Sequence, residues 1–295
     1  MARLSKRNYT FLNRYSYFVP TIAELFILLV WFIAGIILAN IVTLAFSATG
    51  SAAREVSILI AYPLMFIPMM IYASYKSQSN SMNKSGIKVD SNNFAPKGAA
   101  LCAALVILGT LALGFCSDAI TSILPEMPEW LEDMLSSMTQ GTVWINFLCV
   151  SIFAPILEEW LCRGMVLRGL LHNGTKPVWA IIISSIFFAI IHANPWQAVP
   201  AMLLGALFGL VYYKTGSLKL TMLMHFTNNT FALILGNIDA TKDIENWRGF
   251  IDGPEYWVYL GASILVVALV VKTFLDIPDK YGKGGMDPVR CLFEQ

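Results

Sequence analysis

The chain alternates between long apolar runs and short breaks that are charged or rich in turn residues. A helix that crosses a bilayer needs roughly 20 apolar residues, and backbone inside lipid must satisfy its own hydrogen bonds. The pattern therefore predicts an all-α fold, a polytopic membrane helical bundle in contact with the lipid bilayer. The eight predicted transmembrane helices lie near residues 22–46, 57–75, 98–117, 143–163, 178–194, 197–213, 218–236 and 257–275.

Composition supports this class and excludes several others. Of 295 residues, 57% are hydrophobic and 13% are charged, whereas soluble domains carry about 25% charged residues. Eight spans leave no room for a sizeable soluble domain. A formal net charge of +1 argues against nucleic acid as a partner, because that binding relies on clustered basic residues. The five cysteines lack the paired spacing of a zinc knuckle, and we interpret them as packing residues.

The basic residues predict the orientation of the helices. All but Arg54, Lys242 and Arg248 fall before the first span, between spans two and three, after span four, between spans six and seven, or after span eight. Cytoplasmic loops carry an excess of Lys and Arg. Both termini are therefore expected in the cytoplasm, in an integral multi-pass protein of the cytoplasmic membrane. On the outer side, residues 128–138 have the pattern of an amphipathic surface helix.

Two adjacent carboxylates interrupt the fourth span. Charged groups are costly inside a membrane and usually mark function, so Glu158 and Glu159 need an explanation. Arg163 lies four residues after Glu159, within reach of a bidentate ion pair. Glu158 points about 100° away around the helix. We therefore expect Glu159 to be the ion-paired carboxylate and Glu158 to face a separate cavity.

Two of the three histidines also fall in apolar spans. His192 ends the fifth run, and His225 precedes Asn229 by four residues on the same helix face. Burying these groups without a joint site would cost several kcal/mol. A glutamate in an apolar pocket is a competent general base, and imidazole or carboxamide N–H groups hold an oxyanion. The set suits hydrolysis without a metal, which we favour slightly; zinc held by Glu158, His192 and His225 is the alternative.

Three motifs resemble one family. Glu158, Glu159 and Arg163 match EExxxR, Phe188 and His192 match FxxxH, and His225 and Asn229 match HxxxN. These are the motifs, in order, of the CPBP (CAAX protease and bacteriocin-processing, or Abi) intramembrane proteases, which include the type II CAAX prenyl endopeptidases. The resemblance implies that Glu158 activates water beside His192, that His225 and Asn229 support the water or oxyanion, and that Glu159 and Arg163 stabilise the site.

On this resemblance the chain divides into three parts. Residues 1–142 hold three transmembrane helices and the outer amphipathic segment, 143–236 form the CPBP core, and 237–295 contain an outer loop, the last span and a cytoplasmic tail. We expect an intramembrane endopeptidase that cleaves a membrane-associated peptide or protein. A non-catalytic membrane immunity or scaffold protein that binds a peptide is the alternative, and a transporter ranks third.

One geometric difficulty follows from the predicted spans. At 1.5 Å per residue, Glu158 lies about 8 Å from Arg163, and His225 lies about 9 Å from Lys219. His192 would lie about 24 Å from Lys176. These groups have to converge for catalysis, and sequence spacing does not show how they do so.

Overall fold

A computed structural model of the protein describes residues 11–131, 142–241, 244, 246–251, 253–280, 282 and 284–294. Within these ranges the chain is almost entirely helical, so the predicted all-α class is confirmed. The strands there form one antiparallel pair, β1 (Gly86–Ile87) and β2 (Pro288–Val289). This pair joins the segment after the second helix to the C-terminal tail.

Each predicted span coincides with a helix. The helices are α1 (Ile22–Ser47), α2 (Ser51–Ser81), α3 (Ala99–Thr121), α4 (Val143–His172), α5 (Pro177–Ile190), α6 (Pro195–Thr215), α7 (Leu218–Leu235), α8 (Trp247–Phe250) and α9 (Glu255–Leu275). Short 3-10 turns occupy Asn13–Tyr15 and Leu292–Glu294. Of the predicted amphipathic helix over 128–138, all beyond residue 131 lies outside the described residues.

Six of the described helices are long and apolar enough to cross a membrane: α1, α2, α3, α4, α6 and α9. Helix α5 has only 14 residues, about 21 Å against a hydrocarbon thickness of about 30 Å. Helix α7 has 18 residues and carries polar side chains in its middle. The membrane-embedded helical bundle is thus confirmed, whereas the count of eight crossings is not, and the orientation stays a prediction.

Helices α4 and α6 form the centre of the bundle. In their most apolar stretches, 56% of α4 and 50% of α6 residues are buried, against 22% in α1 and 11% in α9. Helix α5 packs against both central helices, and α7 packs between α3 and α4. The outer helices expose apolar side chains, as expected for surfaces that face lipid.

Helix α4 corrects one prediction, because it continues nine residues beyond Arg163 to His172. Arg163 and Arg168, which the orientation argument placed in a cytoplasmic loop, are both 0% exposed. Arg168 donates to the backbone carbonyls of Gly164, Ile87 and Phe18 at 2.5–2.7 Å. These two arginines therefore act inside the protein and cannot be counted as loop residues.

Helices α1 and α2 pair directly through their backbones. A Cβ atom on Gly35 would lie 2.1 Å from the Met65 carbonyl oxygen, so only glycine permits this approach. Pro63 and Pro68 lie inside α2 and each removes one intrahelical hydrogen bond. The close contact fixes the middle of α2 against α1, on the side of the bundle that faces α4.

Candidate active site

The two glutamates and Arg163 lie in a modified stretch of α4. Glu158 and Glu159 end a short α-helical segment, Ala154–Glu159, between π-helical stretches at Phe147–Phe153 and Trp160–Leu167. A π-turn joins a carbonyl to the N–H five residues on, and such turns occur frequently at functional sites. The helix is therefore irregular on both sides of the paired carboxylates.

Glu159 and Arg163 form the predicted ion pair, but through a single contact and not a bidentate one, since Glu159 Oε2 has no hydrogen-bond partner. Arg163 Nη1 lies 2.7 Å from Glu159 Oε1, and both side chains are 0% exposed. Arg163 Nη2 also donates to the Gly205 carbonyl at 2.9 Å. A Cβ on Gly205 would lie 3.2 Å from Nη2, so the absent side chain leaves space for the guanidinium.

His225 joins this pair from α7. Its Nδ1 lies 3.2 Å from Glu159 Oε1, and its side chain is 5% exposed. A carboxylate paired with Arg163 only accepts hydrogen bonds, so Nδ1 carries the proton. In the neutral ring, Nε2 then holds the lone pair. Glu159 therefore connects Arg163 with His225, a contact between two motifs that local spacing did not indicate.

His192 has the same tautomer for a different reason. Its Nδ1 lies 2.7 Å from the Phe188 carbonyl oxygen, which can only accept, so Nδ1 donates and Nε2 is free in the neutral ring. His192 lies two residues beyond the end of α5, next to Ala193, whose φ of 57° is in the left-handed region. Such backbone is strained in residues with a side chain and often occurs at functional sites.

The ring of Phe188 gathers three of the predicted site residues. Its centroid lies 4.9 Å from that of His192 and 5.4 Å from that of His225. The Arg163 guanidinium carbon lies 4.6 Å from the same centroid, within cation–π range. Phe208 covers Arg163 from α6 at 5.2 Å. The sequence indicates Phe188 only as part of its motif and does not predict that it packs against these three side chains.

The observed ends of the helices explain how Glu158, His192 and His225 reach similar levels along the bundle. Since α4 ends at His172, Glu158 lies about 21 Å from that end. His192 lies about 22 Å from Pro177, the first residue of α5. Helix α7 begins farther into the bundle than α5 does, because its first residue, Leu218, lies near Gly164 of α4. Its His225 is therefore close to the level of Glu158 after only seven residues.

Asn229 is fixed by a carbonyl that the helix cannot satisfy itself. Val150 lies in a π-helical stretch, where its carbonyl would bond to the N–H of residue 155, and Pro155 has none. Asn229 Nδ2 donates to the Val150 oxygen at 2.8 Å instead. Its Oδ1 accepts from Asn228 Nδ2 at 3.1 Å. The amide group has two N–H bonds, and the second one is not used by Val150 and can donate to another acceptor.

Glu158 lies apart from the Glu159 network. Its Oε1 accepts a hydrogen bond from the Tyr62 hydroxyl of α2 at 2.5 Å. Its Oε2 is buried and has no hydrogen-bond partner. The two carboxylates thus have different partners, as their angular separation predicted. Tyr62 was not anticipated, because a single tyrosine in an apolar run gives no local signal.

The described residues do not assemble the predicted zinc ligands. No group of three or more His, Cys, Asp or Glu side chains in the described part of the chain is placed to hold a metal ion. Both histidines have the tautomer that ligates metals through Nε2, but Glu158, His192 and His225 do not form a ligand set here.

Comparison with known proteins gives matches to part of the chain. Residues 140–231 match the family model of Rce1-like, type II CAAX prenyl endopeptidases. YdiL of Bacillus subtilis (strain 168), named as a membrane peptidase, is 33% identical over 85 residues, 29% of this chain and 34% of the relative. The membrane-embedded CAAX protease MroQ of Staphylococcus aureus (strain USA300) is 33% identical over 110 residues, 35% of this chain and 44% of the relative.

The matches have a defined extent. This chain spans about a third of the length of YdiL and less than half of the length of MroQ, and no solved structure matches it. Residues 140–231, which match the family model, contain all three sequence motifs. The resemblance of this chain to the CPBP intramembrane proteases, and to their type II CAAX prenyl endopeptidases, is therefore confirmed over its central region.

Proposed function

We propose that this protein is an intramembrane endopeptidase that hydrolyses a peptide bond in a membrane-associated peptide or protein. The observation that carries the proposal is the state of Glu158. One carboxylate oxygen is held by Tyr62, and the other is buried without a partner. Glu159 Oε2 is also buried without a hydrogen-bond partner, but Glu159 is paired with Arg163 and His225, whereas no basic side chain among the described residues pairs with Glu158. A buried carboxylate without a basic partner is costly in a purely structural role, whereas a general base needs a free oxygen. The similarity to membrane peptidases supports the same conclusion.

In the proposed reaction, water attacks the carbonyl carbon of the scissile bond. Glu158 Oε2 takes one proton from the water as its oxygen bonds to that carbon. His192 offers the Nε2 lone pair to the same water and orients it. The resulting tetrahedral carbon carries an oxyanion. Glu158 then returns the proton to the amide nitrogen, the carbon–nitrogen bond breaks, and the products are a carboxylic acid and an amine.

His225 and Asn229 stabilise the oxyanion in this proposal. Asn229 provides the N–H that Val150 does not use. His225 donates from Nε2 only when its ring is protonated, because Nδ1–H already faces Glu159. Glu159 stabilises that charged ring, as a buried carboxylate does for a catalytic imidazolium. Glu159 and Arg163 are thus positioning residues, and no metal is required in this scheme.

The substrate is proposed to enter from the membrane. A cavity of about 760 Å³ lies between the start of α4 and the end of α7, lined by residues that include Val143, Phe147, Thr230 and Leu233. Thr230 directly follows Asn229 on α7, although none of the predicted site residues themselves lines the cavity. Its size is within the range of about 300–1,000 Å³ typical of ligand pockets. Mostly apolar walls suit an apolar segment of a substrate at the cytoplasmic membrane.

The test compares membranes from cells that produce the wild-type chain, Glu158→Gln or Glu24→Gln. Glu24 caps α1 far from the site, and glutamine also suits that capping position. New amino termini of membrane proteins and peptides are mapped by mass spectrometry. We expect a set of termini that is present with wild type and Glu24→Gln and absent with Glu158→Gln. Identical termini in all three, with any phenotype retained, would favour the non-catalytic peptide-binding protein instead.

A further inference from the structure

The contact between Tyr62 and Glu158 joins two parts of the chain that are 96 positions apart. Tyr62 lies in α2, outside the residues that match the protease family. Its ring packs against Phe66 with an interplanar angle of 34° and ring centroids 6.0 Å apart, and Phe66 packs on Phe32 of α1 at 5.2 Å. The α1–α2 pair thus presents one hydroxyl to the candidate base.

The position of that hydroxyl is set by rigid elements. Tyr62 precedes Pro63 and lies three residues before Met65, where Gly35 allows the α1 and α2 backbones to touch. The Tyr62 ring packs against Phe66, which in turn packs on Phe32 of α1, and these contacts support the hydroxyl beside Glu158. Precise placement of a catalytic group depends on such supporting contacts.

We propose that Tyr62 is a positioning residue for the hydrolysis, and that its hydroxyl selects which oxygen of Glu158 acts as the base. The hydroxyl has one hydrogen, which it donates to Oε1, so that oxygen is engaged and oriented. Oε2 has no partner and takes the proton from water. Without Tyr62 the carboxyl group would rotate between orientations, and fewer of them would present an oxygen to the water. This inference rests on the proposed role of Glu158.

The main test is Tyr62→Phe, which removes the hydroxyl and keeps the ring packed on Phe66. The matched control is Tyr72→Phe on the same helix, whose ring packs against Phe18 and Trp31, away from the site. On a fluorogenic peptide built from a mapped cleavage site, we expect Tyr62→Phe to lower kcat by about 10- to 100-fold, with KM unchanged. Tyr72→Phe should keep the wild-type kcat and melting temperature. Tyr62→Phe should stay folded with a modestly lower melting temperature, because Glu158 Oε1 loses its donor.

Repeating Tyr62→Phe in a protein that also carries Glu158→Asp separates a positioning role of Tyr62 from a general structural one. Glu158→Asp keeps a base but withdraws it from Tyr62 by one methylene group, so Tyr62→Phe should cause no further loss in that background. An equal loss in both backgrounds, or a wild-type kcat for Tyr62→Phe, would overturn the inference. The proposed function fails separately, if Glu158→Gln cleaves the peptide at the wild-type rate.

Discussion

Replacing Glu159 with glutamine tests the buried network that supports the site. Glu159 Oε1 accepts from Arg163 at 2.7 Å and from His225 at 3.2 Å, and all three side chains are almost fully buried. Glutamine keeps the shape and one acceptor oxygen but removes the negative charge. The Arg163 guanidinium is then left in the protein interior without a counter-charge.

The expected loss of stability follows from what Arg163 retains. Removing one partner of a buried ion pair costs about 3 to 5 kcal/mol. Arg163 still has the Gly205 carbonyl and the faces of Phe188 and Phe208. We therefore expect about 3 kcal/mol for Glu159→Gln, at the lower end of that range. Adding Arg163→Gln removes the unpaired charge and should recover about half of the loss.

Activity should behave differently from stability in the same variants. Both lack the carboxylate that stabilises a protonated His225, so cleavage should fall by about 10² to 10⁴ and stay low in the double variant. The assay is unfolding in mixed micelles together with peptide cleavage. Lys88→Gln is the control, because its pair with Asp287 spans 3.6 Å at a partly exposed site and should contribute at most about 1 kcal/mol.

Three outcomes would refute this account of the network. Wild-type stability for Glu159→Gln would mean that Arg163 does not depend on the carboxylate. Full cleavage by the double variant would mean that the contact between Glu159 and His225 is not used in the reaction. If Glu159→Gln is stable but inactive while Glu158→Gln still cuts, the roles of the two glutamates are reversed.

Three further predictions concern metal, topology and Arg168. Purified protein in detergent should carry substoichiometric zinc and keep its activity after chelation; stoichiometric zinc that must be restored for turnover would contradict the metal-free scheme. In a cysteine-free background, a cysteine at Lys84 should react with a membrane-impermeant reagent only after the membrane is opened, and one at Asp239 before it; labelling at 84 in intact cells would reverse the orientation. Arg168→Met should lower the free energy of unfolding by about 3 kcal/mol, because three backbone carbonyls, two of them in buried hydrogen bonds, lose their donor; a wild-type melting temperature would show that these hydrogen bonds are replaceable.

The hydrophobic pattern predicted the helices well because lipid and core burial both require apolar runs of defined length. It failed where a charged side chain is buried. Arg163 looked like the cytoplasmic flank of span four, but Glu159, Gly205 and two aromatic rings satisfy it inside the protein. The end of α4, and with it the depth of Glu158, differ from the sequence prediction for this one reason.

Spacing along one helix predicted the pair between Glu159 and Arg163, because residues four apart share a helix face. The contacts of Glu159 with His225 and of Glu158 with Tyr62 join residues 66 and 96 positions apart. Such contacts depend on how helices pack, which the periodicity of a single helix does not encode. The Val150 carbonyl that holds Asn229 likewise became evident only with the π-helical turn before Pro155.

The central claim is that Glu158 is the general base of a peptide hydrolysis. The most direct measurement is kcat for Glu158→Gln on a fluorogenic peptide from a mapped cleavage site, with Glu24→Gln and melting temperature as controls. The account predicts a loss of at least about 10² to 10⁴ in kcat, an unchanged melting temperature and wild-type kcat for Glu24→Gln. Cleavage by folded Glu158→Gln within a few-fold of the wild-type rate would contradict it.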